Sequence, residues 1–256
     1  MIELKQDEIL VLRTCGPNGE SYGGFRWPLE IGAAVEAPDW EPTYECGHGL
    51  HGLPWGAGGA SFLSTDDNSC WLLVAVPVAP DNYRAGLSGL GDKCKFRQGR
   101  IVFVGNRDEA VALLAEHAPP NTPINFARQK GGDKSMQTAG HRSVQKAGNF
   151  STQTAGYFST QTAGYFSTQT AGHRSTQTAG NFSTQTAGDK SMQKAGSGTV
   201  QIARWYYGFE LKTAARIITA VEVDRWWFVK SGIWRLCTEE ECARAGARIA
   251  QGEGTI

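Results

Sequence analysis

From Asp133 to Gly196 the chain is written in one eight-residue phrase. Its eight consecutive units read DKSMQTAG, HRSVQKAG, NFSTQTAG, YFSTQTAG, YFSTQTAG, HRSTQTAG, NFSTQTAG and DKSMQKAG. Serine, glutamine, alanine and glycine keep their places in every unit. A fixed short period of this kind demands an architecture in which like units stack on like units. The register continues in worn form on both sides, as NFARQKGG over residues 125–132 and SGTVQIAR over residues 197–204. Ten units therefore span 125–204, with atypical outer ones, as a capped repeat stack requires.

Within each unit Ser-Thr-Gln-Thr alternates two residue classes with period two, the pattern of a strand, and Ala-Gly supplies a corner. Threonine suits a pleated strand, and glycine permits the left-handed or close-packed backbone that a corner needs. Eight residues are too few to close a coil around an interior; two octapeptides give a flattened coil with two strands and two corners. Five such coils at a strand spacing of about 4.8 Å make a β-solenoid about 24 Å long. Every second unit should then stack. One column reads Phe150, Phe166, Phe182, flanked by Lys134 and Gly198. The other reads Phe126, Arg142, Phe158, Arg174, Lys190, an alternation suited to cation–π stacking. His141 and His173 flank Tyr157 in a third column.

If serine and glutamine face inward, the glutamine amides can hydrogen-bond along the stack. The threonines then face outward and form the candidate binding surfaces. One face carries Thr152 with Thr154, Thr168 with Thr170, and Thr184 with Thr186; the opposite face carries Thr160 with Thr162 and Thr176 with Thr178. Arg128, Lys130, Lys146 and Lys194 mark the ends of that second face, charges of the kind that block edge-to-edge growth.

The units AGYFSTQTAG and AGHRSTQTAG resemble the central repeats of bacterial ice-nucleation proteins, whose sixteen-residue coils carry Thr-x-Thr rows beside serine and glycine. The resemblance covers about a third of the chain. It implies a β-solenoid and, through the threonine rows, an ice-organising surface. The chain departs from that pattern where Met136, Val144 and Met192 replace the first threonine, and it has no same-face tyrosine ladder. Similar octapeptide arrays also occur in uncharacterised phage and bacterial proteins behind a comparable N-terminal domain, which makes a phage-encoded origin one reading.

The rest of the chain divides into residues 1–124, a small α+β domain, and residues 205–256, a C-terminal β cap with a short terminal helix. In the first, 69–78 (SCWLLVAVPV) and 95–105 (KFRQGRIVFVG) read as strands, and 108–117 (DEAVALLAEH) as a helix capped by Asp108 and stopped by Pro119-Pro120. In the second, Thr238 and Glu241 form a capping box that opens a helix over 238–251. The aromatic density there (Trp205, Tyr206, Tyr207, Trp226, Trp227, Phe228, Trp234) is read as cover for the exposed end of the stack. The whole is mainly β.

Cys46, His48 and His51, inside ECGHGLHGLPWGAGG, are the one candidate metal-ligating cluster, and their alternative reading is a glycine-rich loop packed on Trp55. The segment GAGGASF (56–62) lacks the lysine and spacing of a phosphate-binding loop. No catalytic constellation is read, and no cofactor is implied. A net charge of zero argues against nucleic acid held by bulk electrostatics. No stretch of eighteen apolar residues is present and the N-terminus has no signal-peptide profile, so the expectation is a cytoplasmic, non-membrane protein with reduced cysteines. The leading functional reading is a structural or interaction protein in which the solenoid is a scaffold or flat binding surface. Its partner would be another protein, a further copy of the chain, or a regular surface such as ice. The alternatives are ice binding by the Thr-x-Thr rows and an enzyme or metal-binding N-terminal domain carried on a stalk.

Overall fold

The computed structural model describes residues 2–87, 93–219, 222 and 225–243. The chain separates into two compact units, Met1–Asn125 and Phe126–Ile256.

The first unit is built from β1 (Glu8–Cys15), β2 (Ala34–Glu36), β3 (Leu50–Pro54), β4 (Cys70–Pro77), β5 (Tyr83–Arg84), β6 (Cys94–Phe96), β7 (Gln98–Gly105) and α1 (Arg107–His117). The strands form one antiparallel sheet in the order β2-β7-β4-β1-β3-β6-β5. The apolar run of β4 lies at its centre, paired with β1 from Glu8↔Pro77 to Cys15↔Cys70. Val11, Leu72, Val74, Val76, Phe96 and Ile101 form the core on one face, each fully buried.

Two local elements differ from the expectation. The segment 95–105 is not one strand but two, because Asn82 clamps a break at Arg97. Its amide donates to the Pro77 and Gln98 carbonyls, its Oδ1 accepts from Gln98 N, and its own carbonyl accepts from Arg97 N. The helix starts earlier than Asp108: Asn106 is the N-cap and accepts from Glu109 N at 3.0 Å. Asp108 lies in the first turn, where its charge favours the helix dipole.

In the second unit, β8 (Arg128–Lys130), β9 (Met136–Thr138), β10 (Val144–Lys146), β11 (Thr152–Thr154), β12 (Thr160–Thr162), β13 (Thr168–Thr170), β14 (Thr176–Ala179), β15 (Thr184–Gly188), β16 (Ser191–Ala195) and β17 (Val200–Tyr207) follow one per octapeptide. They sort alternately into two parallel sheets, β16-β14-β12-β10-β8 and β17-β15-β13-β11-β9. Every residue pairs with its equivalent two units on, as in Thr152↔Thr168↔Thr184 and Gln145↔Gln161↔Gln177. The coil is therefore two octapeptides, as the columns require.

The invariant residues now have causes. Each interior glutamine uses its whole amide. Gln169 Nε2 donates back along the stack to Gln153 Oε1 at 2.9 Å and across the thin interior to Thr178 O at 2.9 Å, and its Oε1 accepts from Gln185 at 3.0 Å. The same triple bonding recurs at Gln153 and Gln161. The ladder stops where coils stop: the buried Oε1 atoms of Gln193 and Gln201 have no partner. Serine hydroxyls run a second ladder, in which Ser151 Oγ accepts from Ser135 N and Ser167 Oγ from Ser151 N, both at 3.2 Å. Ser151, Ser167, Gln153, Gln161 and Gln169 are buried, so any of their polar groups left unpaired carries a desolvation penalty.

The invariant glycine that ends each unit does not supply the left-handed corners. That conformation falls on the second residue of each unit, with φ of 57° at Phe150, 53° at Phe166, 57° at Arg174 and 59° at Lys190. It costs about 1–2 kcal/mol for a residue with a Cβ, and side-chain stacking between coils offsets it. The repeat glycine is required instead by close approach of the neighbouring coil. A Cβ on Gly156 would lie 2.9 Å from the backbone nitrogen of His141. Gly156→Ala should therefore destabilise the second unit by about 3 kcal/mol, a cost of the size set by large backbone misfit, readable as a fall in its melting temperature.

The first residue of a unit caps the next coil. Asp133 Oδ1 accepts from Asn149 N, Asn149 Oδ1 from Tyr165 N, and Asn181 Oδ1 from Ser197 N; His141 and His173 do the same through Nδ1 for Tyr157 and Asp189. Both imidazoles thus carry their proton on Nε2 when neutral. Tyrosine offers no such acceptor, so Tyr165→Asn should extend the chain of caps and raise the melting temperature slightly, by at most about 1 kcal/mol of stability.

The closing strands are β18 (Glu210–Ile217), β19 (Trp227–Lys230) and β20 (Ile233–Leu236). They do not lie as a lid across the stack; they extend its two sheets. β18 pairs antiparallel with β17, and β19 with β16, followed by β20. Arg216 lies 3.5 Å above the Trp227 ring and 5.7 Å from Trp234, and bonds Glu222. The Thr238–Glu241 capping box is formed in both directions, at 2.9 and 3.3 Å. The helix is seen over 239–243; the remainder of the expected helix, 244–251, lies outside the described residues.

Candidate functional site

In β11, β13 and β15 glutamine points inward, fully buried, so both flanking threonines must point out. In-register stacking aligns Thr152, Thr168 and Thr184 in one row and Thr154, Thr170 and Thr186 in another. The rows stand about 6.7 Å apart along the strands and repeat about every 4.8 Å between coils. Thr152, Thr154 and Thr168 are exposed, Thr170 and Thr184 half-buried, and Thr186 is buried at 9%. Met136, 81% exposed, opens the face at one end, and Val200 and Ile202 close it at the other. The expected three open rungs are thus two, with a third half covered.

The opposite face differs. Thr160 and Thr176 are exposed by only 6% and 0%, while Thr162 and Thr178 are half-buried. The Thr178 hydroxyl is itself withdrawn from solvent. This sheet also carries Met192, buried at 7%, so its threonines serve packing and do not form an open row. The octapeptide alone gave no signal of the difference, because the threonine pairs on the two faces are identical in sequence.

The corners flanking the open face are ordered as the columns suggest. Phe150, Phe166 and Phe182 stack at 5.3 Å between centroids, with ring planes 4° and 17° apart. Arg142 and Arg174 lie 5.6 and 5.5 Å from the Phe158 ring on either side. Tyr157 sits between His141 at 4.8 Å and His173 at 5.3 Å. These stacks stiffen the coil edges that border the threonine rows.

Cys46, His48 and His51 are not brought to one point. Cys46 Sγ lies 3.9 Å from His51 Nε2, whereas His48 Nδ1 turns to Glu41 at 3.7 Å and Asp39 at 3.9 Å. Among the described residues no three His, Cys, Asp or Glu side chains gather to hold a metal. The loop is organised by a residue that the sequence reading missed. Lys95, fully buried, donates to Thr43 Oγ1, Glu45 O and Gly47 O, and stands 5.7 Å from the Trp40 ring. A lysine within a strand gives no signal of such a role until the loop is seen to wrap it.

Burial, with Lys93, Arg13 and Lys95 nearby, pushes the His51 imidazole down to about 4. The unfolded chain therefore takes up a proton near the ordinary imidazole range, while the folded form resists it. Stability of the first unit should fall as pH drops from about 6.5 to 4, by at most about 3 kcal/mol, and level off below. Thermal melts across that range test this, and His51→Gln should flatten the profile.

Comparison with known proteins points at the array. The chain is 32% identical over 153 residues to the ice nucleation protein InaU of Pantoea ananas, covering 52% of this chain and 13% of that protein. It is 36% identical over 119 residues to an ice nucleation protein of Pseudomonas syringae, covering 46% and 9%. With one from Xanthomonas campestris pv. translucens it shares 33% over 113 residues, covering 44% and 7%. No family model matches the chain, and no solved structure matches it significantly. The chain spans about a tenth of the length of these curated relatives, and its repeats are similar to those of ice nucleation proteins.

Proposed function

We propose that the chain binds ordered water, as ice or its precursor, through the threonine face of β11, β13 and β15. The observation that carries this reading is the set of exposed, in-register threonines Thr152, Thr154 and Thr168, continued by half-buried Thr170 and Thr184, on a sheet whose reverse side is locked by the glutamine ladder. Threonine is stiff at χ1 and presents a hydroxyl and a methyl in fixed array. Binding a regular surface then costs little rotamer entropy. The similarity to ice nucleation proteins supports the same reading. Two open rungs make a small template, so the expected behaviour is adsorption to ice and modest promotion of freezing.

The test is partition of the purified full chain into a slowly growing ice front. Enrichment in the ice above a non-binding protein of equal size is expected. Complete exclusion into the liquid would leave the rigid solenoid as a scaffold for other partners. No helix among the described residues is long and apolar enough to cross a membrane.

A further inference from the structure

Two of the four cysteines of the first unit are placed opposite each other. Cys15 ends β1 and Cys70 begins β4, and the two are direct partners in the antiparallel register. Directly opposed residues send their side chains to the same face of the sheet. The type of pair follows from the ladder. Val78 N donates to Asp7 O at 2.8 Å across the same two strands, which makes Asp7–Val78 a hydrogen-bonded pair. Pair types alternate. Counting along the register from Glu8↔Pro77 to Cys15↔Cys70 places the cysteines on the Asp7–Val78 parity. Such pairs hold their Cα atoms about 5.5 Å apart, at the commonest spacing of natural disulfides, about 5.5–6 Å.

The surroundings permit the reaction. Both cysteines are free thiols. Cys70 is half-buried, with its thiol 3.7 Å from Pro17 O, and Cys15 is 6% exposed. Cys15 and Ser69, the residue before Cys70, line an open cleft of about 340 Å³ with Gly16 and Pro17, so a small reagent reaches the edge of the pair. The register already sets the two residues face to face, and closing the bridge draws their Cβ atoms together from the roughly 5 Å of an opposed pair to about 3.8 Å.

We propose that Cys15 and Cys70 form a reversible disulfide with a low-molecular-weight disulfide as oxidant. Cys70, the more open thiol, attacks as thiolate on one sulfur of the small disulfide and releases one small thiolate. The Cys15 thiolate then attacks Cys70 Sγ in the mixed disulfide, forms the protein bond and releases the second. The two protons lost by the cysteines end on the two released thiolates, and the two electrons reduce the small disulfide. The bridge closes the segment 16–69, which contains β2, β3 and the Lys95-bound loop, and so constrains the unfolded chain. Burial holds the Cys15 thiol up at about 11, so the second step should be the slow one and should quicken as pH rises.

The test equilibrates the folded full chain with oxidised glutathione, blocks free thiols, and maps peptides by mass. The thiol titre should fall by two from six, with Cys15 and Cys70 joined, and the first thermal transition should rise by several degrees. Reductant should reverse both changes. Cys46→Ser should oxidise like the parent, and Cys70→Ser should give neither the loss of two thiols nor the thermal shift. The nearest rival pair is Cys237 with Cys242, either side of the Thr238 cap. A folded protein that keeps all six thiols, a bridge joining any other pair, or glutathione held separately on Cys15 and Cys70 would each overturn the assignment.

Discussion

Gln169→Glu is expected to unfold the middle of the solenoid. Gln169 is fully buried, and its amide makes two donations and one acceptance. A carboxylate there can donate nothing. It strands Gln153 Oε1 and Thr178 O, and places an unpaired charge in an interior of serine, glutamine and alanine. The combined cost is about 4 kcal/mol, between that of orphaned buried acceptors and that of an uncompensated buried charge. The deficit should shrink in acid, where a protonated carboxyl regains one donor. Circular dichroism and thermal melting of Gln169→Glu beside Thr170→Ala are the check. The alanine change sits on the outer side of the same strand and should cost under about 0.5 kcal/mol. Equal melting of the two variants would mean that the amide ladder does not hold the coils.

Much of this architecture is written in the repeat. The coil length followed from the columns, because a stacked aromatic or cation–π column only makes sense if every second unit is a neighbour, and Phe150, Phe166, Phe182 and the Arg142–Phe158–Arg174 alternation stack in that way. The inward serine and glutamine followed from period two. What the repeat hides is anything that depends on a non-repeating neighbour. The threonines of β12 and β14 have the same local sequence as those of β11 and β13, yet Thr160 and Thr176 are buried. Local chemistry also misled where two mechanisms compete. Glycine was the natural occupant of a left-handed corner, but the corner falls on Phe166 and its equivalents, and the glycine answers to the coil packed against it.

In the first unit, Asn106 displaces Asp108 as the helix cap because both are capping residues and only the path of the chain chooses between them. The Cys46–His48–His51 cluster looked compact along the chain. The loop turns His48 toward Asp39 and Glu41, and the cluster opens.

The larger functional effect is expected at Thr168. It lies at the centre of the open rows, paired with Thr152 on one side and Thr184 on the other. Its side chain is exposed, so a bulkier residue should leave the folded state in place. Thr168→Tyr would stand a ring above the plane of hydroxyls and methyls and hold a flat surface away from both neighbouring rungs. Ice binding should then be largely lost with the melting temperature nearly unchanged. Tyr165→Asn, at the corner of the same coil and away from the rows, should keep the parent activity.

The decisive measurement is droplet freezing and ice-crystal shaping by the folded parent, Thr168→Tyr and Tyr165→Asn at equal concentration. Earlier freezing and faceted crystals are expected for the parent and Tyr165→Asn, with Thr168→Tyr close to buffer. Activity that survives Thr168→Tyr, or absence of activity in all three, would contradict the threonine face as the working surface.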